Sequence, residues 1–359
     1  MGEPLNLGII GVGAISAQYL ANLPRLPQIR LVAVADLDLS RAEAVAAEHP
    51  GVRACSVDDL LTDPAIDAVL NLTIPAAHAA IALRAIAAGK DVYGEKPLAA
   101  TTAEAQQVLD AAAAAGVRVG CAPDTVLGTG VQTARKAIDD GLIGTPVAAT
   151  ATMVTPGHER WHPNPDFYYS AGGGPLLDMG PYYVTALVTL LGPVTQVVGA
   201  ASHLRPTRTI GSGPRQGESV PVSIDTHVTG ILTHESGAIS TLLMSFDAVA
   251  TTAAPIEVHG DAGSLAVPDP NHFAGTVRHF PLGGDAWADL PVSAGYRDSG
   301  RGFGLADLAE TPTDAEPRAG GRLAFHVLDV LESVLRSAAT GRAEPVGSTV
   351  ERPAAVALR

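Results

Sequence analysis

A chain of 359 residues with 47% hydrophobic and 17% charged residues can fill the cores of two domains and is not a disordered polymer. Its formal net charge of −14, with no block of lysine or arginine, excludes a basic surface for nucleic acid or anionic membrane. Two cysteines, Cys55 and Cys121, make no disulfide framework. The start, Met1-Gly2-Glu3-Pro4, lacks a basic leader, and no apolar run approaches the roughly 18 residues of a spanning helix. A soluble cytoplasmic protein with no membrane partner is expected.

In chain order, the first part alternates strand and helix. Leu5–Ile10 is a short apolar strand and Ser16–Leu23 opens a helix. Ile29–Ala35 is β-branched and apolar, hence strand two; Ser40–Glu48 is helical, with Ser40 as its cap. Asp67–Thr73 reads as a buried strand, Ala76–Ala88 as an alanine-rich helix stopped by Gly89, and Asp91–Gly94 as the next strand. Thr102–Ala115 and Val117–Cys121 add a helix and a strand. Such alternation predicts a parallel sheet with helices on both faces.

The pattern changes after Pro123. Val131–Asp140 is one more helix, and Pro146–Val154 and Val194–Ser202 are strands. Thr226–His234 and Ala238–Phe246 form a hairpin across Glu235-Ser236-Gly237, and Ile256–His259 and Ser264–Val267 follow. Arg205–Gly217 and Ala309–Gly321 read as loops, and Leu323–Ala339 as an amphipathic helix. The expected fold is α/β, with a dinucleotide-binding domain over 1–123 and a second domain over 124–359. The second domain carries a largely antiparallel sheet covered on one face.

Gly11-Val12-Gly13-Ala14-Ile15-Ser16 joins the first strand to the first helix, and Asp36 ends strand two about 20 residues further on. Gly11 permits the tight turn, and Gly13 lets the backbone approach a pyrophosphate at the helix N-terminus. Asp36 can accept the ribose hydroxyls and repel a 2′-phosphate, so NAD is expected in preference to NADP; Arg41 is the one residue placed to argue otherwise. Lys96, one of only three lysines, lies in Glu95-Lys96-Pro97 at the end of a strand. Lysine can trade its proton and arginine effectively cannot, which points to redox chemistry with proton transfer.

Gly11–Ser16, Asp36, His78, Glu95-Lys96-Pro97 and Gly172-Gly173-Gly174-Pro175-Leu176-Leu177-Asp178-Met179-Gly180-Pro181-Tyr182 occur in the order seen in the Gfo/Idh/MocA oxidoreductases. The chain resembles that family over nearly its whole length. The resemblance implies a Rossmann domain followed by an α/β domain with an open, mostly antiparallel sheet. It implies a small sugar, cyclitol or polyol as substrate and a homo-oligomer, dimer or tetramer, formed through the exposed face of that sheet. Gly11, Gly13, Ala14, Ile15, Asp36, Thr73, Pro75, His78, Glu95 and Lys96 are the implied cofactor residues. Lys96, Asp178 and Tyr182 are the implied catalytic ones. Many family members carry histidine at the position of Tyr182. A phenol with a pKa near 10 is a poorer base than imidazole, so either Tyr182 or Lys96 carries the proton. His78 either contacts cofactor or is a capping or surface histidine. Asp124, after the last strand of the first domain, is placed to face substrate.

His158-Glu159-Arg160-Trp161-His162 matches the H-E-x-x-H metalloprotease pattern, which needs both histidines on one helix face. Pro156, Gly157 and Pro163 surround it and disfavour that helix, so no metal is expected. The segment reads instead as an aromatic loop in which Trp161, His162 and Tyr168 either stack on a sugar or form oligomer contacts. Two rival functions are an NAD-assisted glycosidase with transient sugar oxidation, which would use the same residues, and a non-catalytic NAD-sensing regulator, against which the presence of Lys96, Asp178 and Tyr182 together argues.

Overall fold

The computed structural model describes residues 3–359. Two compact units emerge: the chain through Leu127 together with Asp298–Leu328, and Gly128–Arg297 together with Asp329–Arg359. The sequence reading put one boundary at 123/124. The structure puts it a few residues later and returns Asp298–Leu328 to the first unit, which periodicity along the chain does not reveal.

The first unit contains β1 (Leu5–Ile10), α1 (Ser16–Asn22), β2 (Ile29–Ala35), α2 (Leu39–Glu48), β3 (Arg53–Cys55), α3 (Val57–Thr62), β4 (Ala68–Asn71), α4 (Pro75–Ala87), β5 (Asp91–Gly94), α5 (Thr102–Ala115) and β6 (Val119–Cys121). Its sheet has the order β3-β2-β1-β4-β5-β6 with every pair parallel. Chain direction across the sheet reverses between β1 and β4, the crevice where such sheets take nucleotides. Strands β1, β4 and β5 lie in the centre, so their residues are apolar on both faces: Ile10, Val69 and Val92 join Val108 of α5 and Ala85 of α4 in one core. The helix expected to begin at Ser40 begins at Leu39. Its cap is Asp38, whose carboxylate accepts from the Ser40 amide at 3.1 Å.

The second unit contributes α6 (Thr129–Asp139), β7 (Pro146–Val154), α7 (Gly174–Leu191), β8 (Val194–Ser202), β9 (Thr207–Thr209), β10 (Ser219–Pro221), β11 (His227–His234), β12 (Ile239–Ser245), β13 (Ile256–Gly260), β14 (Gly263–Val267), β15 (Arg278–Pro281) and β16 (Ala288–Asp289). The returning segment forms α8 (Phe303–Glu310). Then α9 (Gly321–Thr340) runs from the first unit into the second and β17 (Glu344–Pro345) closes the sheet edge. The nine strands are ordered β16-β15-β14-β13-β7-β12-β11-β8-β17, antiparallel except for β7 beside β12. Alternation fixes the faces. Val228, Leu232, Leu242 and Met244 are buried beneath α7, while Val198, Ile231 and Ile239 point outward and stay exposed. The stretch read as a loop from Arg205 holds β9, which pairs with β10 as a small antiparallel ribbon.

Candidate active site

The cofactor candidates lie at the carboxyl ends of β1, β2, β4 and β5. Gly11 has φ +94°, and a Cβ there would stand 2.8 Å from the Leu72 carbonyl carbon and oxygen, so only glycine lets the chain turn this close to β4. Gly13 and Ala14 are exposed, and nothing lies within 4 Å of where a Gly13 Cβ would be. The Ser16 hydroxyl donates to Gly13 O at 2.7 Å and fixes the turn into α1. Asp36 ties the turn to β2: Oδ2 accepts from the Val12 amide at 2.8 Å and Oδ1 from the Asp38 amide at 3.0 Å. Arg41, the residue that argued for a 2′-phosphate, has Nε 3.7 Å from Asp38 Oδ2. Sequence reasoning passed over Leu37 and Ile74. Leu37 is fully exposed just beyond β2, and Ile74 is 69% exposed just beyond β4. For Leu37, an apolar residue directly after the acidic Asp36 was the available signal.

Thr73, Pro75 and His78 form one connected group. The Thr73 hydroxyl donates to Asn71 Oδ1 at 2.7 Å, and Pro75 opens α4. His78 is buried, not the surface or capping histidine that its spacing allowed. Its Nδ1 lies 2.6 Å from Pro97 O and its Nε2 3.0 Å from Thr73 O, so the ring braces the loop after β4 against the segment after β5. Glu95 is buried as well; it accepts from the Tyr19 hydroxyl at 2.7 Å and from the Lys96 amide at 3.1 Å. Burial first, and then the Glu95 charge, raise the Tyr19 phenol well above its usual range, so it stays a donor. Glu95 thus anchors the backbone that presents the half-buried Lys96.

Asp124 does not take the substrate-facing role expected of it. It is fully buried, and Oδ2 accepts from the amides of Gly302 at 2.9 Å and Gly304 at 3.0 Å, at the start of α8. Arg301 Nη1 lies 3.6 Å from Oδ1. Burial raises the Asp124 pKa, and Arg301 opposes that rise. The carboxylate holds the returning segment in place.

In the second unit, α7 carries Asp178 and Tyr182 one helical turn apart, with Tyr182 buried and Asp178 partly so. The glycines before it are required by close packing: a Cβ on Gly173 would lie 2.3 Å from Phe167 O. The H-E-x-x-H segment is not an α-helix. His158–Arg160 is a single 3₁₀ turn. Glu159 is buried, accepts from the Tyr169 hydroxyl, and stands 3.2 Å from Arg208 Nη1. Arg208 also bonds Asp247, and its guanidinium lies 5.3 Å from the Tyr169 ring centroid. Burial, and then the Glu159 bond, push the Tyr169 phenol upward. Among the described residues no group of three His, Cys, Asp or Glu side chains is arranged to hold a metal ion.

Trp161, His162 and Tyr168 lie in one aromatic group. Tyr168 sits 4.0 Å from Phe167, 5.5 Å from His162 and 6.4 Å from Trp161 between ring centroids, and Trp161 is 57% exposed. His162 Nδ1 accepts from the Asn164 amide at 3.1 Å. His158, read from sequence only as part of the metal pattern, packs among Phe246, Tyr168 and Trp161 with centroids at 4.3, 4.7 and 5.2 Å.

Residues 5–122 match the family description "Oxidoreductase family, NAD-binding Rossmann fold", and residues 131–266 match the GFO/IDH/MocA C-terminal domain. The chain is 29% identical over 348 residues to 1,5-anhydro-D-fructose reductase of Ensifer adhaerens, covering 94% of this chain and 98% of that one. It is 37% identical over 150 residues to inositol 2-dehydrogenase of Ralstonia nicotianae, covering 40% and 44%. An NAD binding oxidoreductase from Klebsiella pneumoniae, 27% identical, superposes with a TM-score of 0.79 over 96% of this chain and 99% of that one. No helix among the described residues is long and apolar enough to cross a membrane. With both halves matched in order and the parallel-then-antiparallel pair of sheets in place, the chain belongs to the Gfo/Idh/MocA oxidoreductases, with their NAD-binding Rossmann fold.

Proposed function

We propose that this protein is a cytoplasmic, NAD-dependent oxidoreductase acting at a secondary hydroxyl or carbonyl of a sugar, cyclitol or related polyol. The observation that carries this reading is the row of strand ends in the first sheet: Asp36 after β2, the glycine turn after β1, Thr73 after β4 and Lys96 after β5. A dinucleotide laid across them has its adenosine ribose at Asp36, its pyrophosphate at Gly11–Ile15 and its other end toward Thr73, Pro75, His78 and Lys96. Leu37 and Ile74 supply apolar surface on either side of β1 for the adenine. The exposed Gly13–Ala14 backbone and the tight Gly11 turn suit a pyrophosphate, so the residues fit the cofactor. When bound, the nicotinamide supplies the hydride acceptor or donor.

Lys96 hydrogen-bonds the reacting oxygen and eases its proton loss, with Tyr182 as the partner base and Asp178 orienting substrate or Tyr182. Trp161, His162 and Tyr168 offer the apolar face of a ring a stacking surface. The names of two relatives, 1,5-anhydro-D-fructose reductase and inositol 2-dehydrogenase, support this substrate class. We further propose a homo-oligomer joined through the outer face of the second sheet. Val198, Ile231, Thr241 and Leu243 share that face with few charges.

The test is turnover with inositol plus NAD and with 1,5-anhydro-D-fructose plus NADH, followed by a wider polyol panel. Net NADH change is expected. Release of an aglycone from glycosides without net NADH change supports the glycosidase alternative instead.

A further inference from the structure

Two consecutive residues of the 3₁₀ turn face opposite surroundings. Glu159 is locked among Tyr169 and Arg208, as described above. That lock sets the direction of its neighbour, whose amide donates to the Tyr169 hydroxyl at 3.1 Å. The His158 ring is therefore held between Phe246 and Tyr168, and its Nδ1 comes within 3.5 Å of Asp178 Oδ2. Both side chains are largely withdrawn from solvent, 12% and 19% exposed. In such a setting, a charge on either group is felt strongly by the other.

We propose that His158 is a positioning residue for Asp178: the two form one ionic pair that sets the orientation of the carboxylate. The sequence pattern had pointed the histidine at a metal. The role of Asp178 in the reaction rests on the function proposed above, but the pairing does not. Several groups face His158. Asp178 approaches from α7, Tyr168 from the turn Asp166–Tyr169, Phe246 from the end of β12, and Trp161 from its own turn. The Glu159–Arg208–Asp247 cluster lies beyond Tyr169 and is internally paired. Asp178 thus places a carboxylate oxygen 3.5 Å from the imidazole Nδ1.

The experiment is an imidazole ¹H–¹⁵N titration of the full chain. His158 is identified by the resonance lost in His158→Gln. Asp178→Asn, a near-isosteric change that removes only the charge, is expected to lower the His158 midpoint by about one unit or more, tenfold in proton affinity. An unmoved midpoint overturns the pairing. Turnover on the two probe substrates then reads the positioning role. His158→Phe keeps the ring and loses the donor. His158→Asn keeps a donor near the Nδ1 position, and is expected to recover at least tenfold in kcat over the phenylalanine variant. Equal loss in both variants, with unchanged thermal melts, reduces His158 to packing and overturns that role. A shifted midpoint in a protein that turns over neither probe nor any polyol leaves the pair standing and defeats the functional reading.

Discussion

Replacing Asp36 by asparagine removes the charge that separates NAD from NADP. The carboxylate is pinned by the Val12 amide at 2.8 Å and the Asp38 amide at 3.0 Å, so it cannot swing away from a ribose at the end of β2. A 2′-phosphate carries about two negative charges near neutrality. At about 5 Å and a near-aqueous dielectric, their repulsion by Asp36 is roughly 2 kcal/mol, about thirtyfold in affinity. Loss of a charge-assisted bond from the ribose hydroxyls of NAD adds about 1.5–3 kcal/mol to the discrimination. The parent is therefore expected to prefer NAD by about three to four orders of magnitude. The asparagine removes the charge and keeps one oxygen for the Val12 amide, losing the acceptor for the Asp38 amide, and should shrink that preference at least thirtyfold. Asp36→Ala also strips the turn of its acceptor and should weaken both cofactors. Isothermal titration with each cofactor measures the ratio. Near 1 M salt the repulsion is screened within about 3 Å, so the parent ratio should fall there while the asparagine variant stays flat. Equal binding of the two cofactors by the parent, or a ratio unmoved in the variant, refutes the assignment.

Lys96→Ala should lower turnover by about 10²–10⁴ with NAD affinity within a few-fold, and Lys96→Arg should not rescue. Tyr182→Phe decides the proton carrier: a comparable loss, non-additive with Lys96→Ala, assigns the pair, whereas full activity leaves lysine alone. Metal analysis should find less than one zinc per chain, and a chelator should leave activity intact; a stoichiometric zinc needed for activity would reverse the reading of His158–His162. Ile231→Glu, on the outer face of β11, should split the oligomer in light scattering, and a monomeric parent would end that proposal. His234 is buried, with Nδ1 2.8 Å from Gly192 O and Nε2 2.7 Å from Ser240 Oγ. Burial lowers its pKa below the ordinary 6.5. A depressed value means its contribution is full above pH 6.5 and is lost as pH falls through the folded-state pKa. Melting temperature should drop in that acid window and less steeply in His234→Gln; parallel curves for the two proteins would reject the linkage.

The central parallel strands were legible because burial on both faces writes itself as continuous apolar sequence. Leu5–Ile10, Ile29–Ala35 and Asp91–Gly94 were read with the observed bounds. The short edge strand Arg53–Cys55 and the six-residue helix Val57–Thr62 were not, since neither spans enough residues to show a period. The glycine turn and Asp36 were readable because the chemistry there uses backbone and sequence-local spacing.

Polar residues whose partners lie far along the chain were the least legible, and for one physical reason. A buried carboxylate needs donors, but sequence does not say which donors folding will deliver. Asp124 sits at a strand end, where a substrate contact is reasonable, and yet its donors are amides 178 and 180 residues away at Gly302 and Gly304. Glu159 sits where a metalloprotease base would, and its partner Arg208 comes from β9, 49 residues on. In both cases the return of a distant segment converted a candidate reactive group into an anchor. The same step uncovered His158: once Glu159 is an anchor, the residue beside it is aimed, and its target is the Asp178 that the glycine-rich motif had already singled out.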